Sequence, residues 1–219
     1  MAAAAQEEML SFYRMNEAQL RQWVEANPGR VNERSAEGYT PLYVAVLFIE
    51  SLPLTVWLLD EKGADVNATT PWRETPLHMA RSLDILAALL NRGADPTLLN
   101  RFGRTPLMSQ ALYGRIDIVT RLLQDPRVRA TVNVQHRYGT TALHLACDND
   151  DYETVTISIL SLLLQAGADP ALTREDGETP LTYLRIRHPT HHAAIALLER
   201  YPEAQKDAEK ASLLVKARR

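Results

Sequence analysis

One short phrase occurs five times along the chain, and this repetition constrains the fold more than any other feature. The copies begin at residues 38, 73, 103, 139 and 177 and read GYTPLYVA, RETPLHMA, GRTPLMSQA, GTTALHLA and GETPLTYL. A second phrase ends six residues before each copy, at residues 32, 67, 97, 133 and 171. Two phrases in a fixed order, at spacings of 30 to 38 residues, predict a chain built from stacked copies of one structural unit.

The beginning of each phrase predicts the start of a helix. A threonine hydroxyl caps a helix by accepting a hydrogen bond from a free backbone N–H, and proline suits the first helical position. The threonines are Thr40, Thr75, Thr105, Thr141 and Thr179, followed by Pro41, Pro76, Pro106, Ala142 and Pro180. Apolar residues at helical spacing predict a second helix in each unit. Glycines just past three of these helices, Gly63, Gly93 and Gly167, favour a left-handed C-terminal turn.

Together these phrases resemble the ankyrin repeat, with its TPLH helix opening, its GAD-V-N loop and its hairpin turn before the next threonine. The resemblance covers residues 38–201 directly, and residues 6–37 resemble a degenerate copy. It implies an all-α solenoid of stacked helix-turn-helix units with β-hairpin loops along one edge. It also implies that the chain binds other proteins.

The repeat boundaries predict three segments. Residues 1–37 form a degenerate N-terminal capping repeat, and residues 202–219 form a C-terminal capping helix with amphipathic spacing. Between them lie repeats at residues 38–72, 73–102, 103–138, 139–176 and 177–201. The alternative for the last segment is a basic tail that contacts a partner.

Departures from the regular repeat predict local changes in the scaffold. The second repeat is 30 residues long and has lost about one helical turn, so its first helix is expected to be short. Extra residues at 124–131 in the third repeat and at 148–153 in the fourth are expected to enlarge loops. Such loops either bind a partner or are structurally tolerated.

The charge, the cysteine content and the lengths of the apolar stretches limit the partners and compartments that are expected for this chain. A formal net charge of -3 argues against nucleic acid as the partner, because most nucleic-acid-binding proteins carry an excess of Lys and Arg. The single cysteine, Cys147, excludes an intrachain disulfide and favours a reducing compartment. The sequence shows neither a signal peptide nor an apolar stretch long enough to cross a membrane. We expect a monomer in the cytoplasm or the nucleus.

The hairpin tips are the first candidate binding site. Four successive tips carry an aromatic residue, with three arginines beside them: Tyr39, Trp72, Phe102 and Tyr138, and Arg73, Arg104 and Arg137. Aromatic and arginine side chains are enriched in binding hot spots. The alternative is that the rings pack onto neighbouring tips and only stiffen the array.

By resemblance, the first helices of the repeats line a concave groove. This places Leu47, Phe48, Leu112 and Tyr113 in an apolar part of the groove, and Asp148 and Asn149 in an acidic part. The acidic run at 148–153 attracts a basic partner segment in one interpretation and is a solvated loop in the other.

Few residues suggest catalysis or metal binding. The resemblance implies that His78 and His144 hold hydrogen bonds between helix start and hairpin. The spacing of His144 and Cys147 permits a thiolate nucleophile, and His188 and His192 have the spacing of a metal pair but lack a further ligand. We expect no catalytic activity, cofactor or metal.

The sequence therefore predicts a non-catalytic protein–protein interaction module, an adaptor or stoichiometric inhibitor. Two alternatives remain: an enzyme that uses His144 and Cys147, and a nucleic-acid-associated protein. The latter requires that six arginines share one face: Arg73, Arg101, Arg104, Arg127, Arg129 and Arg137.

Overall fold

In the computed structural model, which describes residues 11–149 and 152–201, all regular elements are helical. The helices α1 to α12 are Glu17–Ala26, Pro41–Val44, Leu52–Asp60, Pro76–Met79, Leu83–Asn91, Pro106–Leu112, Ile116–Leu122, Pro126–Ala130, Ala142–Ala146, Glu153–Gln165, Pro180–Arg187 and 192–201. A π-helical turn, Ala45–Ile49, continues α2. The expected C-terminal capping helix at 202–219 lies outside the described residues, as do residues 1–10, Asp150 and Asp151.

The repeated threonines begin the first helix of each repeat, as predicted. Thr40, Thr105 and Thr179 each accept a hydrogen bond at 3.2 Å from the N–H three residues later. Thr75 and Thr141 are also N-caps, and each is paired with the histidine three residues later. Proline follows at the first helical position in every repeat except the fourth, which has Ala142.

The helices form the two layers expected of a solenoid. The first helices of successive repeats, α2, α4, α6, α9 and α11, pack side by side in one layer. The second helices, α3, α5, α7 and α10, form the other layer. The leucines that close the layers are almost fully excluded from solvent, for example Leu58, Leu89, Leu122 and Leu163. Burying one of these leucine side chains stabilises the fold by about 1.5–3 kcal/mol. A single repeat cannot cover its own leucines, so its core depends on the neighbouring repeats.

Asparagine side chains bind the loops of successive repeats together. Asn67 accepts a hydrogen bond from the backbone N–H of Asp95 at 2.9 Å and donates one to the carbonyl of Gly93 at 3.2 Å. Asn32 and Asn133 make the same pair of bonds to the following loops. The asparagine of the GAD-V-N phrase therefore fixes the register of the next repeat.

The first helix of the second repeat is short, as expected, and a neighbouring repeat supports its end. α4 has four residues, whereas α6 has seven. The buried Gln110 donates from Nε2 to the carbonyls of His78 at 2.9 Å and Ala80 at 3.1 Å. Arg115 adds a longer bond, 3.3 Å, to the carbonyl of Ala80. The backbone acceptors freed by the lost turn are thus satisfied by side chains of the third repeat.

The prediction that residues 124–131 enlarge a loop is wrong. Pro126–Ala130 form a helix, α8, whose N-cap Asp125 accepts a hydrogen bond from the N–H of Arg127 at 2.8 Å. Val128 is buried in the core. Proline after an N-capping aspartate favours helix, and the apolar side chain attaches the short segment to the scaffold.

Replacing Gln110 by leucine should destabilise the protein although the new side chain is apolar and similar in size. The carbonyls of His78 and Ala80 would lose their buried donor, which costs about 1–3 kcal/mol. Urea unfolding followed by circular dichroism would measure the loss. Gln124→Leu, at an exposed position, is the matched control. Equal stability of the two variants would show that Gln110 does not support the shortened helix.

Candidate protein-binding site

Five tight hairpins project from the starts of the first helices. Hairpins 1 to 5 cover residues 35–39, 70–74, 100–104, 136–140 and 174–178. Each is closed by a hydrogen bond of 2.9–3.0 Å from its first N–H to its fifth carbonyl. Four carry glycine at the fourth position, where φ is positive, but hairpin 2 has Arg73 there with φ 57. A side chain in this left-handed region costs roughly 1–2 kcal/mol, so Arg73 is held in a strained conformation.

Backbone contacts join the hairpins into one row. The N–H of Arg101 donates to the carbonyl of Trp72 at 2.7 Å, and that of Glu175 to the carbonyl of Tyr138 at 2.9 Å. Between hairpins 3 and 4, a Cβ added at Gly103 would lie 3.3 Å from the Cβ of His136. The hairpin row therefore holds its outward side chains at fixed spacing before any partner arrives.

Three of the four predicted tip aromatics are exposed. The exposed fractions are 37% for Trp72, 44% for Phe102 and 64% for Tyr138. Tyr39 is half-buried, and its ring stacks on that of Tyr43 with centroids 5.3 Å apart. The interpretation in which rings pack onto neighbouring tips describes Tyr39 and part of Trp72, whose ring centroids lie 6.3 Å apart. Phe102, Tyr138 and the exposed part of Trp72 present apolar area to solvent.

The arginines beside these rings have no carboxylate partner within the described ranges. Arg104 lies over the ring of Phe102, with its guanidinium carbon 5.5 Å from the centroid, and Arg101 lies 5.9 Å from the same centroid. Arg73 and Arg137 are exposed. Arg127 differs because Asp125 holds it in an ion pair at 2.7 Å. Pairing of Arg127 weakens the nucleic-acid alternative, which needs all six arginines to be available.

Two further exposed rings lie at the ends of first helices. Phe48 and Tyr113 are each 44% exposed, and both follow the first helices of their repeats. The pKa of the Tyr43 hydroxyl is raised mainly by burial, and this hydroxyl donates to Glu74 at 3.1 Å. Phe48 and Tyr113 are therefore accessible to a partner, and their place in a binding groove stays a prediction.

The described part of the acidic run is engaged within the protein. Asp148 accepts a hydrogen bond from the hydroxyl of Tyr183 at 2.7 Å, and burial raises the pKa of that tyrosine to about 12. Glu153 accepts from the backbone N–H of Ala193 at 2.7 Å, at the start of α12. Asn149 is only 5% exposed, which does not fit its expected role as a partner contact.

The two TPLH histidines form the interactions that the resemblance implies. In His78, Nδ1 accepts from the N–H of Thr75 at 3.2 Å, and Nε2 lies 3.1 Å from the carbonyl of Arg104 in hairpin 3. A carbonyl only accepts, so His78 is neutral with its proton on Nε2. His144 makes the equivalent bonds to Thr141 and to the carbonyl of Glu178 in hairpin 5. Burial lowers the pKa of both rings, that of His78 to about 4.

The geometry argues against a Cys-His nucleophile. Both ring nitrogens of His144 are already engaged, and the Sγ of Cys147 lies 3.6 Å from the carbonyl of Pro180. Cys147 is fully buried, and burial raises the pKa of its thiol. A reactive cysteine requires the opposite shift and access to solvent.

The described residues contain neither a candidate metal site nor a helix that could span a membrane. Within 11–149 and 152–201, no three His, Cys, Asp or Glu side chains come together in a way that could hold a metal ion. His188 instead stacks on His191, with ring centroids 4.7 Å apart. Across the same ranges, every helix is too short or too polar to span a bilayer.

Several residues of this surface are not among the candidates predicted from the sequence. Tyr13 packs its ring against Phe48 with centroids 5.7 Å apart, which extends the aromatic area towards the N-terminus. His136 and Arg174 begin hairpins 4 and 5, where the first three hairpins begin with the uncharged Ser35, Thr70 and Asn100. Alignment of the five hairpins by their glycine position would have singled out these two residues.

Stability should fall as the pH is lowered from about 6.5 to 4. The unfolded chain binds a proton at His78 below a pKa of about 6.5, whereas the folded chain does so only near 4. The unfolded state therefore binds more protons in this pH range, and His78 alone lowers the free energy of unfolding by on the order of 3 kcal/mol across it.

Urea unfolding at a series of pH values would measure the slope of the free energy of unfolding against pH. His78→Met, which copies Met108 of the next repeat, should flatten the slope, and the exposed His192→Gln should leave it unchanged. Equal slopes in all three proteins would contradict the assignment.

Cys147 should resist alkylation by iodoacetamide in the native protein at pH 8 and react fully in guanidinium chloride. The reason is its burial among the helices together with the raised pKa of its thiol. Mass spectrometry would count the modified chains. Rapid native modification that is slowed in His144→Met would instead reveal an activated thiolate.

Comparison with known proteins agrees with this architecture. A family model described as ankyrin repeats (3 copies) matches residues 44–133 and 77–160. The chain is 32% identical to the human B-cell lymphoma 3 protein over 155 residues, which are 67% of this chain and 33% of that protein. It is 38% identical to the bovine mitochondrial disaggregase over 133 residues, 58% of this chain and 18% of the relative. Similarity to the rat nuclear factor NF-kappa-B p105 subunit is 32% over 107 residues, 48% of this chain and 10% of that subunit. The chain spans at most a third of the length of these three proteins. The match to the family model shows that the chain belongs to the ankyrin repeat family.

Proposed function

We propose that this chain is a non-catalytic adaptor or stoichiometric inhibitor that binds a partner protein through the hairpin row and the adjoining concave groove. The observation that carries the proposal is the set of exposed rings of Trp72, Phe102 and Tyr138, held on hydrogen-bonded hairpins beside unpaired arginines. Ankyrin repeats are in general protein-interaction modules.

The strained backbone at Arg73 supports this site. Glycine at this position would relieve a cost of roughly 1–2 kcal/mol, yet hairpin 2 presents an exposed arginine there. Strain of this kind is concentrated at functional sites, where the scaffold enforces it. In the proposed complex, Arg73 and Trp72 contact the partner together.

Binding in this proposal depends on preorganisation. The rings and guanidinium groups are positioned by the hairpin row, so little side-chain and loop entropy is lost when a partner docks. Tyr113 and Phe48 extend the contact into the groove. The chain acts by occupying a surface of its partner or by joining it to a second protein.

The solenoid ends fit the proposed division into repeats and caps. In the described part of residues 1–37, Phe12 packs edge-on against Trp23 with centroids 4.6 Å apart, while α1 exposes Gln22 and Glu25. A polar outer face over a buried apolar one is what a terminal repeat needs. Residues 202–219 are proposed to close the opposite end.

We further propose that the chain acts as a monomer in the cytoplasm or the nucleus. Its single cysteine is buried and contributes to packing as a thiol, which suits a reducing compartment. One relative is named as a nuclear factor subunit. Catalysis is not part of the proposal, because His144 and Cys147 are engaged in structural contacts.

Affinity capture from lysate tests the binding site. The triple variant Trp72→Ala, Phe102→Ala and Tyr138→Ala should lose a partner that the wild type retains, since a hot-spot ring contributes about 2 kcal/mol or more, roughly thirtyfold in affinity. Quantitative mass spectrometry of the captured proteins is the measurement, after circular dichroism has shown equal helicity.

The matched control is Leu83→Ala with Tyr152→Ala, two exposed side chains at the starts of α5 and α10. This variant should capture the same partner as the wild type. Equal capture by the triple variant and the wild type would reject the hairpin row as the binding site. Loss of the partner in the control variant alone would place the site at the starts of α5 and α10.

A further inference from the structure

Hairpins 3 and 4 differ in charge from the rest of the chain. Residues 100–104 and 136–140 read NRFGR and HRYGT, with three arginines and no Asp or Glu, although the whole chain has a formal net charge of -3. None of these arginines forms an ion pair within the described part of the chain, whereas seven others do. Building on the proposed function, we infer that hairpins 3 and 4 bind an acidic, extended segment of the partner protein.

Two arginine side chains, in hairpins 3 and 5, supply buried N–H groups without acceptors. The Nε atoms of Arg104 and Arg174 are shielded from solvent and have no hydrogen-bond partner among the described residues. Between them in the row, the neutral ring of His136 carries one N–H and one acceptor nitrogen, both shielded from solvent. The hairpins that carry these groups are in contact: a Cβ added at Gly103 would lie 3.3 Å from the Cβ of His136, and the N–H of Glu175 donates to the carbonyl of Tyr138 at 2.9 Å. Buried donors that find no acceptor are destabilising, so the guanidinium group of Arg104 is stabilised when it turns outward to pair with a carboxylate of the partner.

Electrostatics at this position favour an anion over a cation. Burial and the neighbouring arginines lower the pKa of His136 to about 4, so the ring is neutral at physiological pH. Arg104 has no ion-pair partner among the described residues, whereas Arg174 is paired with Asp176 at 3.3 Å and with Glu178 at 2.9 Å. A partner carboxylate would therefore meet one unpaired guanidinium group and a neutral N–H donor at the junction of hairpins 3 and 4.

The exposed rings define the remaining chemistry of the segment. Phe102 lies between Arg101 and Arg104, and Tyr138 follows Arg137 in the next hairpin. Apolar side chains alternating with Asp or Glu would pack on the rings while their carboxylates pair with the arginines. Guanidinium and carboxylate groups match in geometry as well as in charge.

The charges at both ends of the hairpin row favour a short acidic segment over nucleic acid. Hairpin 1 carries Glu37, and hairpin 5 carries Glu175, Asp176 and Glu178. A duplex has regular negative charge along its whole length and would be repelled by both ends. A peptide of a few residues needs only the positive centre of the row.

Fluorescence anisotropy of a labelled peptide tests this inference with the full chain. The probe is a fluorescein-labelled ten-residue peptide of alternating Glu and Leu, and its counterpart carries Gln in place of Glu. The wild type should bind the Glu peptide saturably and the Gln peptide at least about tenfold more weakly, with affinity falling as salt is raised.

Variants of the chain locate the binding. Arg104→Gln with Arg137→Gln should weaken binding of the Glu peptide by at least about tenfold. Arg121→Gln with Arg129→Gln removes the same charge from the region of α7 and α8 and should leave the affinity within about twofold. Equal losses in the two variants would show that only net charge matters and would overturn the inference.

Further outcomes would contradict the inference that hairpins 3 and 4 bind an acidic segment. Absence of saturable binding, or tighter binding of a duplex DNA oligonucleotide or of inorganic phosphate than of the Glu peptide, would reject an acidic protein segment as the ligand. If the peptide fails while the aromatic triple variant still loses a captured partner, only this inference fails. If capture is also unchanged in that variant, the proposed function fails as well.

Discussion

The interface between successive repeats is the constraint on which the structure depends. Each repeat contains polar groups that are satisfied only by the next one: His78 binds the carbonyl of Arg104, His144 binds that of Glu178, and Asn67 binds the following loop. These bonds lie beside a core that runs continuously through the described helices. Because a single repeat has neither a closed core nor satisfied polar groups, stability accumulates only when neighbours stack.

The same interface determines what the surface can do. Each TPLH histidine fixes a hairpin of the repeat that follows it, and hairpin-to-hairpin bonds such as that from Arg101 to Trp72 complete the row. Side chains at the tips are thereby held at fixed spacing by a buried network. A rigid array of aromatic and arginine side chains is suited to binding. Cys147, by contrast, is buried in the core, with its Sγ 3.6 Å from the carbonyl of Pro180.

Much of the fold could be predicted because its determinants are local. Thr105 and Pro106 begin a helix through contacts within one turn, so their spacing was sufficient. The short α4 followed from chain length alone, but the support from Gln110 did not, since it depends on a neighbour in the next repeat. Residues 126–130 were misjudged because the burial of Val128 depends on tertiary packing.

The sequence predicted which residues lie at the candidate site, but not which of them are exposed. The tip aromatics follow from the phrase itself, whereas the half-burial of Tyr39 and the burial of Asn149 depend on how neighbouring repeats contact them. The cluster of Arg104, His136 and Arg174 combines residues of three hairpins, and no spacing within one hairpin indicates it. Sequence periodicity thus locates the hairpin edge, and the contacts between repeats determine which side chains are exposed on it.

Amide hydrogen exchange of the free protein, resolved by NMR, tests the central claim of a preorganised hairpin row most directly. The N–H groups of Arg101 and Glu175 bond across hairpins to Trp72 and Tyr138. We expect both to exchange as slowly as amides inside α6, because opening them requires separation of repeats. Exchange at the rate of an unstructured loop would contradict preorganisation and show that the hairpins are ordered only by a partner.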